Sequence, residues 1–286
     1  MTVFTWNEII NANSENNTKV KDFFTKPSAL TIGKFDGAHL GHRALFKAVK
    51  DYCKTNTHKI KQKLSGAVIV FMNIWPLITT LKQRLDILEE EGFDFCIVID
   101  FSGKFSKMKG RDFLDKLRKI CSMQFIATGS DFRCGHNLDT GVAEISAFCR
   151  QYDLEYCICQ HIYYSDRRIS SSFIKDEILR GNLELVQHLL LKYYTIDALK
   201  FRWQTNLTES FLTITTNITE VQVMPPSKAY EAQIICNDTK ASVLQCILYV
   251  ESNFLRLEIP LDQISNFIDE YHIIQFIVGI KIIRSK

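Results

Sequence analysis

Apolar residues form short unbroken runs along the first two thirds of the chain and alternate with polar ones along the last third. Ser28–Ile32, Gly66–Met72, Phe93–Phe101, Phe125–Gly129 and Glu155–Ile162 read as strands. The continuous Gly66–Met72 run is of the kind buried on both faces of a parallel sheet. Between the runs the period is helical. His42–Lys54 carries Leu45, Val49 and Tyr52 on one face. Thr79/Thr80 cap a helix through Leu81, Leu85 and Leu88 that stops at Gly92, and Lys109–Cys121 and Gly141–Tyr152 follow. Ser170–Arg180 and Leu183–Tyr194 are two further helices on either side of Gly181-Asn182. Strands alternating with helices of this length predict βαβ units in an α/β, doubly wound parallel sheet, with ligands at the carboxyl ends of the strands. The loops to examine follow Ile32, Met72, Gly129 and Ile162.

From about Leu199 the period becomes two. Ala198–Trp203, Phe211–Val223, Tyr230–Asn237, Ser242–Glu251, Leu255–Ile259 and Ile273–Ile283 read as strands and Leu261–Tyr271 as the one helix, which predicts a small antiparallel barrel or sandwich. The chain shows no internal repeat and no long linker, and Asn11–Thr18 reads as a polar loop. The expected domains are residues 1–195 and 196–286.

Composition narrows the class. With 286 residues, 46% hydrophobic and 23% charged, the chain is globular and large enough to bury a core. Its nine cysteines are an odd number without a C-x-x-C pair, so they read as reduced thiols of a cytoplasmic protein. Cys157 and Cys159 share one face of a strand, which suits core packing better than metal binding. The formal net charge is +3, too small for a general nucleic-acid binder. Met1–Val20 has no secretory pattern, and the apolar run His272–Ile283, broken by Gln275 and Lys281, is too short to span a bilayer. Neither a nucleic-acid nor a membrane partner is expected.

The chemistry gathers in Thr31–Arg43, TIGKFDGAHLGHR. Gly33, Gly37 and Gly41 allow a tight turn and close approach to a ligand. His39 and His42 stand in H-x-G-H spacing where this loop enters a helix, whose free N–H groups and partial positive charge suit phosphate. Imidazole donors there would hold phosphate oxygens and stabilise a pentacoordinate transition state. The bland reading is a glycine-rich turn with two solvent-facing histidines. The loop is neither a P-loop, for lack of G-K-[ST], nor a dinucleotide fingerprint, for lack of G-x-G-x-x-G.

These residues carry a resemblance. His39–His42, HLGH, matches the H-x-G-H signature of the nucleotidylyltransferase superfamily, and Gly33–His42, GKFDGAHLGH, resembles the G-N-F-D-G-x-H-x-G-H loop of bacterial FAD synthetases. Gly129–Gly135 (GSDFRCG), Arg168–Lys175 (RISSSFIK) and Gly181–Leu190 (GNLELVQHLL) resemble that family's G-x-D-F-x-F-G, R-x-S-S-T-x-I-R and G-D-x-x-x-A-x-x-L-L segments in the same order. The resemblance implies a Rossmann-like nucleotidylyltransferase domain with FMN adenylyltransferase activity, followed by a riboflavin-kinase-type barrel. It implies FMN and ATP as substrates, FAD as product and Mg²⁺ as the ion. It makes His39 and His42 catalytic and sets ATP against Gly33, Phe35, Asp36, Gly37, Gly129, Arg168, Ser171 and Ser172. Asp131 is placed to accept from a ribose or a flavin. Phe132 packs on a ring or fills the core, and Phe71 meets the isoalloxazine or fills the core.

The chain also departs from the family. Lys34 replaces an Asn, Phe71-Met72-Asn73-Ile74-Trp75 lacks the usual F-x-P-H-P, Phe173 replaces an Arg, Ser172 a Thr and Cys134 an aromatic. No P-T-A-N occurs, so the barrel is expected to lack kinase activity, although Met224–Tyr230, MPPSKAY, resembles the barrel's approach to a strand. Two other readings stand beside this one: a nucleotidylyltransferase with another phosphate acceptor, and a non-catalytic flavin-binding or regulatory protein derived from the enzyme.

Overall fold

The computed structural model describes the chain except residues 12–19, 21–22, 61, 73–75, 102, 104, 200, 219–220, 237–242 and 265–276, and describes the backbone alone at 58–60. The expected polar loop from residue 12 on, the departure at 73–75, and most of the expected helix Leu261–Tyr271 lie outside the described residues.

Contacts divide the chain into two compact units: Met1–Asn73 with Arg84–Arg168, and Ile74–Gln83 with Ile169–Lys286. The first holds a six-stranded sheet of β1 (Thr2–Thr5), β2 (Ser28–Gly33), β3 (Ser65–Phe71), β4 (Phe95–Ile99), β5 (Met123–Gly129) and, past the short pair β6 (Arg133–Cys134) and β7 (Thr140–Gly141), β8 (Glu155–Cys159). Its order is β1-β4-β3-β2-β5-β8, and every neighbouring pair is parallel. The helices are α1 (Trp6–Asn11), α2 (Leu40–Ile60), α3 (Leu81–Glu90), α4 (Gly110–Ile120) and α5 (Val142–Gln151). The Thr80 N–H donates to Gln83 Oε1 (3.0 Å) and the Gln83 N–H to Thr80 Oγ1 (3.3 Å). This reciprocal cap starts α3 where the sequence places it.

The strands are near-continuous apolar runs because helices cover both faces of the sheet. Leu30, Ile32, Ala67, Ile69, Phe95, Ile97 and Ile126 pack in one cluster with Trp6, Phe113, Leu114, Leu117, Ile145 and Phe148. On the other face α2 brings Tyr52 to stack on Phe125, ring centroids 4.3 Å apart. The chain runs outward from β2 through β3 to β4 on one side, then through β5 to β8 on the other. The switch point is therefore at β2 and β5, and in sheets of this kind ligands bind outside the carboxyl ends of the strands at that point.

The second unit contains α6 (Ser171–Arg180), α7 (Leu183–Leu190) and a seven-stranded antiparallel sheet of β11 (Thr195–Asp197), β12 (Gln204–Leu207), β13 (Phe211–Asn217), β14 (Ala229–Cys236), β15 (Val243–Val250), β16 (Phe254–Pro260) and β17 (Ile277–Ser285). The order is β11-β17-β14-β15-β16-β13-β12. Burial alternates residue by residue along β13 to β16, so one face is core and the other is not. Register shifts between β14 and β17 at Glu231/Ala232 and Ile235/Cys236 add the local twist that curls such a sheet towards a barrel.

Contacts group the stretch from Ile169 to residue 195 with the antiparallel sheet. Tyr194 explains part of this: its hydroxyl donates to the Val223 carbonyl and its carbonyl accepts from the Ile282 N–H at 2.9 Å, anchoring the stretch before 195 to the antiparallel sheet. One expectation is corrected: among the described residues of Ala198–Trp203 no strand forms. Asp197 Oδ1 accepts from the Leu199 N–H at 3.1 Å and the Phe201 N–H donates to the Ala198 carbonyl, so these groups are bonded locally rather than in a ladder.

Candidate functional site

The loop after β2 is held in a costly shape. Phe35 (φ 50°), Gly37 (φ 81°) and Ala38 (φ 43°) are left-handed, and for the two non-glycine residues this costs about 1–3 kcal/mol each. Gly37 adopts this conformation without a Cβ penalty. Packing offsets the rest. The Phe35 ring is fully buried, 5.3 Å from the Phe46 ring and 5.2 Å from that of His42. The Ala38 N–H returns to the Phe35 carbonyl (2.9 Å) and the His42 N–H to the His39 carbonyl (2.8 Å), which leads the chain into α2.

This turn stacks the two histidines. Their ring centroids are 3.7 Å apart and their planes 23° from parallel. Neither Nδ1 has a hydrogen-bond partner among the described residues. Burial pushes the His39 pKa down to about 4; Asp36 works against the shift and Arg168 adds to it. His42 falls well below the ordinary imidazole range through burial and the charges of His39 and Arg43. At neutral pH both rings are uncharged, each offering one donor and one acceptor. Unpartnered buried polar atoms of this kind call for a ligand or water.

A second polar cluster lies at the carboxyl end of β5. Arg168, on the hairpin of β9 (Tyr163–Tyr164) and β10 (Arg167–Arg168), places Nη2 2.7 Å from Asp131 Oδ2. His161 Nε2 is 3.3 Å from Ser130 Oγ and 3.8 Å from Asp131 Oδ1. The Ser130 N–H donates to the Cys159 carbonyl (3.0 Å), which extends the β5–β8 ladder into this turn. Asp131, expected to meet a ribose or flavin, thus already holds a guanidinium. Ser130 and His161 were not legible as site residues, because only the pairing of β5 with β8 brings them together.

The remaining expected residues fall as follows. Gly33 ends β2 and Gly129 ends β5, while Asp36 and Gly37 are buried in the loop. Phe71 and Phe132 are half-buried and pack on the core cluster, Phe71 beside an exposed Phe101 whose ring centroid is 6.0 Å away. The sequence reads Phe101 as the end of a strand, whereas β4 stops at Ile99 and leaves Phe101 beyond it. In the second unit Ser170 caps α6, its Oγ accepting from the Phe173 N–H at 3.2 Å, and Ser171 and Ser172 form the first turn. Phe173 is buried there, and in the first unit Cys134 is buried in the core cluster. Among the described residues no group of three or more His, Cys, Asp or Glu is arranged to hold a metal, and no helix is long and apolar enough to cross a membrane.

An H-x-G-H turn at the switch point of a Rossmann-like sheet, followed in the chain by an antiparallel β unit, defines a nucleotidylyltransferase-type architecture. The FAD synthetase family model matches residues 22–173, and the chain belongs to that family. It is 27% identical over 182 residues to the bifunctional riboflavin kinase/FMN adenylyltransferase of Buchnera aphidicola subsp. Acyrthosiphon pisum, covering 60% of this chain and 56% of that protein. It is 29% identical over 173 residues to the protein of the same name from Escherichia coli K12, covering 56% and 53%. A Listeria monocytogenes FAD synthetase is 24% identical over 175 residues, covering 58% and 69%. The chain thus spans about half the length of the first two relatives. The fold is similar to that of a crystal structure titled macrolide-efflux protein from Streptococcus pneumoniae, with TM-score 0.70, 20% identity, and coverage of 93% and 96%.

Proposed function

We propose that the protein transfers the adenylyl group of MgATP to FMN, giving FAD and pyrophosphate. The observation that carries this reading is the stacked His39–His42 pair with its two unpartnered Nδ1 atoms, set at the switch point of the sheet. An FMN phosphate oxygen attacks the ATP α-phosphorus in line, the α–β bridging bond breaks, and pyrophosphate leaves. The nucleophile is already an anion, so positioning and charge stabilisation supply the catalysis. His39 and His42 hold the phosphates at the α–β bridge, with Gly33, Phe35, Asp36 and Gly37 shaping the loop and Gly129 lining the opposite strand end. Arg168, steadied by Asp131, takes the departing pyrophosphate. Mg²⁺ bound to the ATP phosphates would neutralise their charge and would keep several waters, so this chain would need no carboxylate cage to hold it. The flavin ring lies against the Phe71 and Phe132 side, where Phe101 adds an exposed face.

The C-terminal sheet is read as a kinase-type barrel that does not phosphorylate riboflavin, because the chain lacks P-T-A-N. The protein is placed in the cytoplasm, with ATP and FMN as its partners.

Purified protein incubated with MgATP and either FMN or riboflavin, its products separated by chromatography with flavin fluorescence, tests the reading. FAD from FMN and nothing from riboflavin supports it. FMN from riboflavin overturns the kinase statement. Bound flavin without product favours a flavin-binding protein, and turnover of a different phosphate acceptor moves the chain to another branch of the superfamily.

A further inference from the structure

Arg84 has the unusual setting of a guanidinium only 2% exposed. Such a group is almost never fully buried without partners, and an apolar side chain of similar size often stabilises a fold as well. Arg84 stands on the buried face of α3 with Ile87 and Leu88, which are also buried. Its Nη1 donates to the Lys34 carbonyl at 2.8 Å and reaches the Phe71 carbonyl at 3.4 Å. Its Nε has no hydrogen-bond partner among the described residues.

The two acceptors give the position its meaning. Lys34 lies between the last residue of β2 and the first left-handed residue of the histidine loop. Phe71 is the last residue of β3, the strand beside β2. One cation therefore ties the start of the loop to the neighbouring strand end at the carboxyl edge of the sheet. The buried Asp36 carboxylate acts on Arg84 and also on His39, so the same charge pattern runs from the guanidinium to the stacked rings. A loop with three left-handed residues is held only if its surroundings over-determine it. Phe35 supplies the apolar anchor, and Arg84 supplies the polar one.

We infer that Arg84 is a positioning residue for adenylyl transfer: by capturing the Lys34 carbonyl it fixes the loop that presents His39 and His42. It acts through the backbone and touches neither ring. A small displacement of that backbone moves both imidazoles, and misplacements of about 1 Å at reacting groups cost ~100-fold in rate.

The activity arm of the test rests on the proposed function, and the spectroscopic arm does not. Full-length protein is prepared as wild type, Arg84→Met and Arg84→Lys. Three quantities are read: thermal melting, the His39 and His42 ring signals in ¹H–¹⁵N spectra without substrate, and kcat/KM for MgATP in FAD formation. The expected result is a folded Arg84→Met protein with displaced ring signals and a kcat/KM lowered ~10–100-fold. Arg84→Lys keeps a donor and a charge, so its ring signals stay near those of wild type and its rate within ~5-fold. Arg84→Met with wild-type rings and kinetics overturns the inference, as do rings equally displaced in both variants. If Arg84→Met does not fold, Arg84→Lys decides: wild-type-like rings and rate support the inference, and displaced rings with a lost rate overturn it. If the wild type makes no FAD, the functional reading fails, and the ring spectra alone decide the role of Arg84.

Discussion

The Phe35 ring lies over Gly33 so closely that a Cβ built on Gly33 would sit 2.9 Å from Phe35 Cζ. The ring has no room to yield, because it is fully buried against Phe46. Gly33→Ala is expected to push Phe35 off its rotamer, destabilise the protein by about 1–3 kcal/mol in urea unfolding and lower FAD formation at least ~10-fold. A stable, fully active Gly33→Ala protein would show that the loop tolerates a second shape.

His42→Ala removes one imidazole of the stacked pair without touching the strand that carries the loop. FAD formation should fall at least ~100-fold, the scale of losing one preorganised donor to a developing charge. Steady-state assay at saturating MgATP measures this, and a near-normal rate would take His42 out of the mechanism.

Protonation provides an independent check on His39. Its folded pKa of about 4 lies below the unfolded value of 6.5, so the unfolded chain binds the extra proton between those values. Stability is then full above pH 6.5 and declines as pH falls towards 4, by up to about 3 kcal/mol for this one group. Urea unfolding from pH 7.5 to 4.5 should show the decline, and His39→Asn should make it shallower. ATP phosphates favour the protonated ring, so nucleotide should become a better stabiliser as pH falls.

Gln222 is a separate structural test. Buried in the second unit, it accepts from the Asp197 N–H at 2.7 Å and donates towards the carbonyls of Ile78 (2.9 Å) and Thr195 (3.2 Å) and towards Gln83 Oε1 (3.1 Å). Gln222→Ala removes the acceptor of the buried Asp197 N–H and a donor to the Ile78 carbonyl and should cost about 3 kcal/mol in chemical denaturation. A loss under 0.5 kcal/mol would mean that water replaces the amide.

The parallel sheet was legible because strands covered on both faces leave unbroken apolar runs, as Gly66–Met72 does against the observed Ser65–Phe71. β1 was not, since an edge strand of the composition TVFT with three exposed residues carries no such run. The end of α2 also went beyond its apolar stripe. Past Lys54, polar side chains bond back to the helix, Asn56 Nδ2 to the Tyr52 carbonyl (3.2 Å) and Thr57 Oγ1 to the Cys53 carbonyl (2.7 Å). The histidine loop could be read locally because its spacing is its chemistry. Arg84 could not, since its acceptors, Lys34 and Phe71, are distant in sequence. Two buried apolar neighbours at helical spacing were the one signal that it faces inward.

The central place of β2 has a consequence for synthesis. Its register is set on one side by β3, with Thr31 opposite Val68, and on the other by β5, with Thr31 opposite Ala127. The histidine loop leaves the ribosome early, but the second strand that frames it follows almost a hundred residues later. At typical elongation rates that interval is roughly 5–20 s. For that time the nascent loop is unbraced on one flank, and it takes its folded shape only when β5 has been delivered.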